Sequence, residues 1–214
     1  MKKKELVSII LNITLFAFAL FTQIDVWFLG WLRSPTMAFG TNLRYFTEIS
    51  NLSAGIVGLL FALAIIFKWE KAKNILSYFK LVTTVMLFIT FFVVAVYLNP
   101  VLLGWAGLFG PMMIFVHLIN PLIAMTAYIF FDDIKDMSFK AGFFVLISMG
   151  LYAFVWVVYM LIVKDDSLAP YPFLEIYTQP WWATIIWFLG MFGFGYLATF
   201  GFIKLKNLTN KKLK

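Results

Sequence analysis

An all-α fold, a polytopic membrane bundle of six transmembrane helices, is what this sequence predicts, and three observations predict it. Of its 214 residues, 63% are hydrophobic, 20% aromatic and 13% charged, with a mean hydropathy of +0.94. A water-soluble globule carries about 25% charged residues. Charge-free windows recur at 6–24, 49–67, 81–131, 141–163 and 176–203, each near or above the roughly 20 apolar residues that a spanning helix needs. Finally, when loops are assigned to alternate sides, 14 lysines fall on one side, including Lys2, Lys3, Lys4, Lys68, Lys135 and Lys214, and only Arg33, Arg44 and Lys164 fall on the other. The positive-inside rule then puts both termini in the cytoplasm and requires an even number of spans. The net charge of +7 is thereby a topology signal and not a nucleic-acid footprint. The chain reads as a single membrane domain over 1–214, with usage that suits a bacterial plasma membrane.

Helix 1 is expected at 6–29. The N-terminus is built like a signal peptide, but its apolar part runs long and no small-residue cleavage site follows, so it reads as an uncleaved span. At 100° per residue Thr14, Thr22 and Asp25 share a sector. Asp25, near the outer end, is either an interfacial carboxylate or a partner for Arg33 or Arg44. Trp27 and Trp31 suit the aromatic belt.

Helix 2, at 46–67, opens with polar residues that a lipid-facing start would not carry. Thr47 and Asn51 are spaced i, i+4 and share a face, flanked by Glu48 and Ser50. Helix capping accounts for part of this, since threonine and carboxylates suit an N-terminus. The stretch 68–80 reads as a solvated lysine loop. Helix 3, at 81–98, has only Thr83, Thr84 and Thr90 as polar side chains and reads as structural. Asn99-Pro100, Gly104, Gly107 and Gly110-Pro111 then break the long apolar run, leaving Pro111 at the first position of helix 4.

Helix 4, at 111–131, contains the single histidine of the chain, His117. An ionisable side chain within a membrane costs about 2.5 kcal/mol or more and marks a functional site by default. Pro121, four residues on, removes the partner of the His117 carbonyl, which predicts a kink. Asn120 shares the face of His117. The following Asp132, Asp133 and Asp136 read as a solvated turn with no metal-loop spacing. Helix 5, at 139–163, is unmarked. The outer loop 164–180 holds Pro172 and Glu175, the latter placed to fold back over the outer ends. Helix 6, at 181–203, carries Gly190, Gly193 and Gly195, which read as a close-packing patch.

This topology gathers Thr47, His117, Asp25, Arg44 and Glu175 at one membrane face. A hydroxyl beside an imidazole is the smallest nucleophile and base pair, because an alcohol needs a base to take its proton and neutral histidine does so near pH 7. Asn51, Asn120 or free N–H groups at the start of helix 4 are candidates for holding an oxyanion. With no cysteine and one histidine, neither a disulfide nor a metal site is expected, and no cofactor is called for.

YFTEISNL at 45–52, HLINPLIA at 117–124 and YPFLE at 171–175 resemble, in order and spacing, three signature patches of the androgen-induced membrane-protein family. That resemblance implies a multipass bundle. It also implies a hydrolase of fatty acid esters of hydroxy fatty acids, with Thr47 as nucleophile and His117 as its base. Glu48-Ile49-Ser50-Asn51 after the threonine is closer to prokaryotic members than to the animal enzymes, so the lipid ester of the bilayer expected here can differ from the animal substrate. Two other classes compete. A proton-coupled transporter or sensor would relay through Asp25, Glu48 and His117, and needs polar residues continuing to the cytoplasmic side, where the sequence shows few. A non-catalytic lipid-binding scaffold would tolerate loss of Thr47 or His117.

Overall fold

The computed structural model of the chain describes residues 2–25, 41–103, 109, 110 and 112–212. Trp27, Trp31, Arg33, Trp105 and Pro111 lie outside the described residues. The architecture is helical throughout them: α1 (Lys3–Ile24), α2 (Phe46–Ile66), α3 (Glu70–Val93, continuing as a π-helix through Val94–Leu103), α4 (Phe115–Phe131), α5 (Phe139–Val163) and α6 (Trp181–Lys212). Five of these are long and apolar enough to cross a membrane, which points to an integral, multi-pass protein; α4 is a shorter apolar helix.

Three boundaries differ from expectation. The loop expected at 68–80 is only a tight reversal, in which Lys68 takes a left-handed φ of 55° and Trp69 donates back to the Ala64 carbonyl at 2.8 Å, a common way to end a helix. From Glu70 on, Glu, Lys, Ala and Leu are good helix formers despite their polarity, so α3 begins there. At its other end α3 runs past Asn99-Pro100 as a π-helix. Pro121 is met in the same way: residues Phe115–Ile119 are π-helical, and the α-helical turn resumes at Asn120. A wider turn on the N-terminal side accommodates the missing N–H of each proline. The third boundary is the end of α6, which extends through Lys204, Lys206 and Lys211.

The inward stripe of α1 is Ser8, Asn12, Leu15, Ala19, Thr22 and Gln23, all buried, whereas Asp25 is half-exposed. Spacings of three and four residues keep this stripe on one face. Opposite it, α2 offers Gly55 and Gly58. A Cβ on Gly55 would lie 2.7 Å from the Ala19 Cβ, and one on Gly58 would lie 3.1 Å from the Asn12 carbonyl oxygen. Small residues bring these two backbones together. In α6 only Gly195 has that role, its α-carbon facing Met149 and Ile89; Gly190 and Gly193 meet nothing within 4 Å. The expected three-glycine patch is therefore a single contact.

The lysine-rich end of the bundle corrects a second expectation. Asp132 is fully buried, not solvated. Its carboxylate accepts hydrogen bonds from Ser8 Oγ (2.6 Å) and Asn12 Nδ2 (2.8 Å) and pairs with Lys80 Nζ at 3.2 Å, while Lys80 also donates to Asn12 Oδ1 at 2.6 Å. Lys206, buried as well, donates to the Asp132 carbonyl. A charge removed from water survives only when paired and hydrogen-bonded, and α1, α3 and α6 supply those partners here. The neighbouring carboxylates do remain outside: Asp133 pairs with Lys73 at 3.2 Å and Asp136 accepts from Asn210.

Between this network and the polar residues at the opposite end lies an apolar layer. Leu15 of α1, Ala54 of α2, Leu87 of α3 and Ala124 of α4 pack together, each at most 1% exposed. A larger core joins α2, α3, α5 and α6 through Phe61, Val85, Val145, Phe202 and their neighbours.

Candidate functional site

The site is built on the first turn of α2. The residue that caps this helix is Tyr45, whose extended φ and ψ of −82° and 132° end the preceding turn, and no side chain caps the helix. The capping explanation for Thr47 therefore fails. Thr47 sits two positions too far along to cap, and its hydroxyl is left to face the interior.

What it faces is an aromatic wall. Thr47 Oγ1 lies 3.4 Å from the Tyr171 hydroxyl, and the Thr47 N–H donates to the same phenol oxygen at 3.4 Å. Tyr171 comes from the loop between α5 and α6, ordered by Asp166, whose carboxylate accepts the N–H groups of Ile176, Tyr177 and Thr178 at 2.7–3.1 Å. Burial raises the Tyr171 pKa above its ordinary 10.0, against the lowering effect of its bonds to Thr47 and Phe46. At neutral pH it is a neutral hydroxyl and no base.

Thr47 and Tyr171 line a pocket whose other walls are almost entirely apolar: Ile89 and Val93 of α3, Met149 and Tyr152 of α5, Phe173 and Leu174 of the loop, Trp187 and Met191 of α6. Its open volume is about 60 Å³. That admits a water-sized body and not a chain of many carbons, so a longer occupant requires the aromatic walls to move.

A polar cluster lies behind Thr47. Ser50 Oγ donates to the Thr47 carbonyl at 2.9 Å and is 3.2 Å from Thr90 Oγ1. Asn51 Nδ2 donates both to the Thr47 carbonyl (2.9 Å) and to the Val116 carbonyl (3.0 Å), tying the first turn of α2 to α4. Asn120 Nδ2 donates to Asn51 Oδ1 at 2.8 Å. Both amide hydrogens of Asn51 are thereby committed, which removes it as an oxyanion donor and makes it a brace. Ile114 N–H at the start of α4 is likewise taken by the Gly110 carbonyl. Asn120 Oδ1, by contrast, is a buried acceptor with no hydrogen-bond partner among the described residues.

His117 follows Val116 in the π-helical turn and is 7% exposed. Single π-turns gather at functional sites, where they re-aim a side chain. Glu48 is half-buried and accepts from the buried Gln23 of α1. Among the described residues, no lining side chain of the Thr47 pocket belongs to α4.

The remaining expected residues separate from this centre. Arg44 is exposed, donates to its neighbour Tyr45 at 2.8 Å and sits 4.9 Å from that ring's centroid. Glu175 stays within its own loop, accepting from Thr178 Oγ1 at 2.8 Å. Asp25 is half-exposed at the end of α1. Sequence reading missed Tyr171, Gln23 and Tyr152. Tyr171 opens the YPFLE segment, in which Glu175 is the more conspicuous polar group; Gln23 continues the Ser8 and Asn12 face of α1, to which Thr22 also belongs, whereas Thr14 is half-exposed. Among the described residues no group of three metal-ligating side chains converges.

Comparison of the chain with protein-family models, with curated proteins and with solved structures finds no match. The resemblance to the androgen-induced membrane-protein family rests on the three short motifs alone.

Proposed function

We propose that this chain is a membrane-embedded hydrolase of lipid esters, with Thr47 as nucleophile and His117 as its base. The observation that carries the reading is the position of the Thr47 hydroxyl, in the wall of an otherwise apolar pocket. Once its aromatic walls part, such a pocket suits the hydrocarbon of a lipid and presents the Thr47 hydroxyl to an ester linkage.

In the proposed cycle Thr47 Oγ exchanges the Tyr171 hydroxyl for the His117 imidazole, which takes the proton as Oγ attacks the ester carbonyl. His117 then protonates the departing alkoxide. Water, deprotonated by the same imidazole, releases the acid from the acyl-threonine. Asn51 holds α2 and α4 in register through Thr47 and Val116; Asn120, with one amide hydrogen beyond its bond to Asn51, is the side chain left to meet the oxyanion.

The finer topology belongs to the same proposal. All six helices cross the membrane of a bacterial cell, with both termini cytoplasmic and Thr47 toward the outer leaflet. At about 1.5 Å per residue α4 covers some 25 Å of a roughly 30 Å core, and the turn before it completes the crossing.

One observation favours a proton-coupled transporter: the buried Lys80–Asp132 pair with Lys206 supplies the second polar end that the sequence lacked. The apolar layer of Leu15, Ala54, Leu87 and Ala124 stands between the two ends and weighs against a continuous path, which keeps the one-sided pocket as the better account.

The test is covalent labelling of the purified protein by a fluorophosphonate, in wild type and in Thr47→Ala and His117→Ala variants of equal thermal stability. Labelling of wild type alone, accompanied by hydrolysis of a fatty acid ester of a hydroxy fatty acid in vesicles, is the expected result. Equal labelling of Thr47→Ala, or no labelling and no hydrolysis in wild type, would overturn the assignment.

A further inference from the structure

The Thr47 pocket is closed toward the lipid-facing surface by a single side chain on one flank and by several on the other. Between α2, α3 and α5 runs an open groove of about 630 Å³, walled by Ile56, Phe79, Leu151 and Val155, which are 44–60% exposed. Among the described residues, Tyr152 alone lines both this groove and the Thr47 pocket. Its hydroxyl donates to the Arg44 carbonyl at 2.7 Å and its ring meets Phe46 edge-on at 5.2 Å. On the other flank a smaller groove of about 230 Å³ between α3 and α6 is divided from the pocket by Val93, Phe173, Trp187 and Met191 together. Phe173 is stacked on Tyr171 at 5.0 Å there, and its ring centroid lies 5.7 Å from that of Trp187.

We propose that the groove between α2, α3 and α5 binds an acyl chain of a bilayer lipid, and that Tyr152 is the gate through which this chain reaches Thr47. The inference rests on the pocket described above and deepens the hydrolase reading. The occupant follows from where the groove lies: its rims are exposed apolar side chains on helices long enough to cross a membrane, so the bilayer's own hydrocarbon is the solvent that fills it. The gate follows from the difference in barriers. Opening at Tyr152 turns one ring and releases its hydrogen bond to the Arg44 carbonyl together with its contacts to Phe46 and Trp156, whereas opening on the α6 flank must separate a stacked cluster. A pocket of only about 60 Å³ needs such a movement before it holds a chain, and Tyr152 is where movement joins the two spaces.

The absence of native cysteine makes the gate directly testable. A Thr47→Cys reporter in phosphatidylcholine vesicles is exposed to a methanethiosulfonate carried on an octadecyl chain and, separately, to a water-soluble trimethylammonium methanethiosulfonate. An Ala153→Cys reporter on the same pocket wall serves if the first fails to fold. The lipid-borne reagent is expected to modify the reporter roughly tenfold faster with Tyr152→Ala, the scale of a barrier about one hydrogen bond high. Tyr152→Trp is expected to slow it, and Trp187→Ala to leave it within about twofold. The proposal is overturned if position 152 has no effect, if Trp187→Ala is the accelerating change, or if only the water-soluble reagent reaches the reporter. It is equally overturned if labelling falls as protein is concentrated in the membrane, because a second copy would then occupy the groove. Thiol access does not depend on catalysis: if fluorophosphonate fails to label Thr47 while Tyr152 still governs the thiol, the hydrolase reading falls and the gate stands.

Discussion

The hydroxyls of Thr47 and Tyr171, 124 residues apart in the chain, lie 3.4 Å from each other at the mouth of the first turn of α2. The Tyr171 ring is also stacked on Phe173 at 5.0 Å with an interplanar angle of 6°. The ring and the hydroxyl therefore make separable contributions. Tyr171→Phe keeps the stack and loses two long hydrogen bonds, and is expected to lower stability by about 1 kcal/mol, at a mean of about 0.6 kcal/mol for each such bond within membranes. Tyr171→Ala removes a wall of the pocket at a cost of roughly 3 kcal/mol or more. Thermal unfolding of both variants in detergent checks the ordering; equal losses would mean that the hydroxyl, and not the ring, holds the loop.

Lys80 and Asp132 form the buried ionic centre of the opposite end. Removing one partner leaves the other as an uncompensated buried charge, so Asp132→Leu and Lys80→Met alone are each expected to cost about 3–5 kcal/mol. The double variant is expected to be more stable than either single one. A thermodynamic cycle over the four proteins measures this coupling, and additive losses would contradict the pairing.

Gly55 is a point of close approach between α1 and α2. A methyl group there would meet the Ala19 Cβ at 2.7 Å, whereas the next contact, Phe16 Cα, is at 3.4 Å. Gly55→Ala is expected to destabilise by about 1–3 kcal/mol through overpacking. Adding Ala19→Gly removes the offending atom and is expected to recover most of that loss, again read by thermal unfolding.

The loop that carries Tyr171 depends on pH through Asp166. Desolvation opposes its ionisation, but the N–H groups of Thr178, Tyr177 and Ile176 outweigh it and hold the pKa below the ordinary carboxylate value of 3.8. A depressed folded-state pKa contributes stability that is complete above the unfolded value and is lost as pH falls through the folded one. Hydrogen exchange at Ile176, Tyr177 and Thr178 is therefore expected to show constant protection relative to neighbouring amides above the ordinary carboxylate range and a loss below it. Asp166→Asn should weaken protection at neutral pH and flatten the dependence.

The helical class, the membrane character and most helix centres were legible because composition and unbroken apolar length are local properties. Thr47, Asn51, His117 and Asn120 stood out as candidates for the same reason: a polar side chain inside an apolar run has few ways to be satisfied, so the run itself marks it. Lys80 and Asp132 read as solvated because each sits among other charges, and a charged segment looks alike whether water or another helix covers it. Tyr171 and Tyr152 were invisible as site residues because an aromatic side chain is unremarkable in a chain that is one-fifth aromatic. The sequence by itself determined that polar groups from α2 and α4 would collect at one end. Only the tertiary structure decided which of them face each other, that Asn51 is a brace, and that the loop after α5 brings Tyr171 to Thr47. Long-range pairing depends on helix rotation and on small-residue contacts such as Gly55 against Ala19, and neither is written in the hydropathy of any single segment.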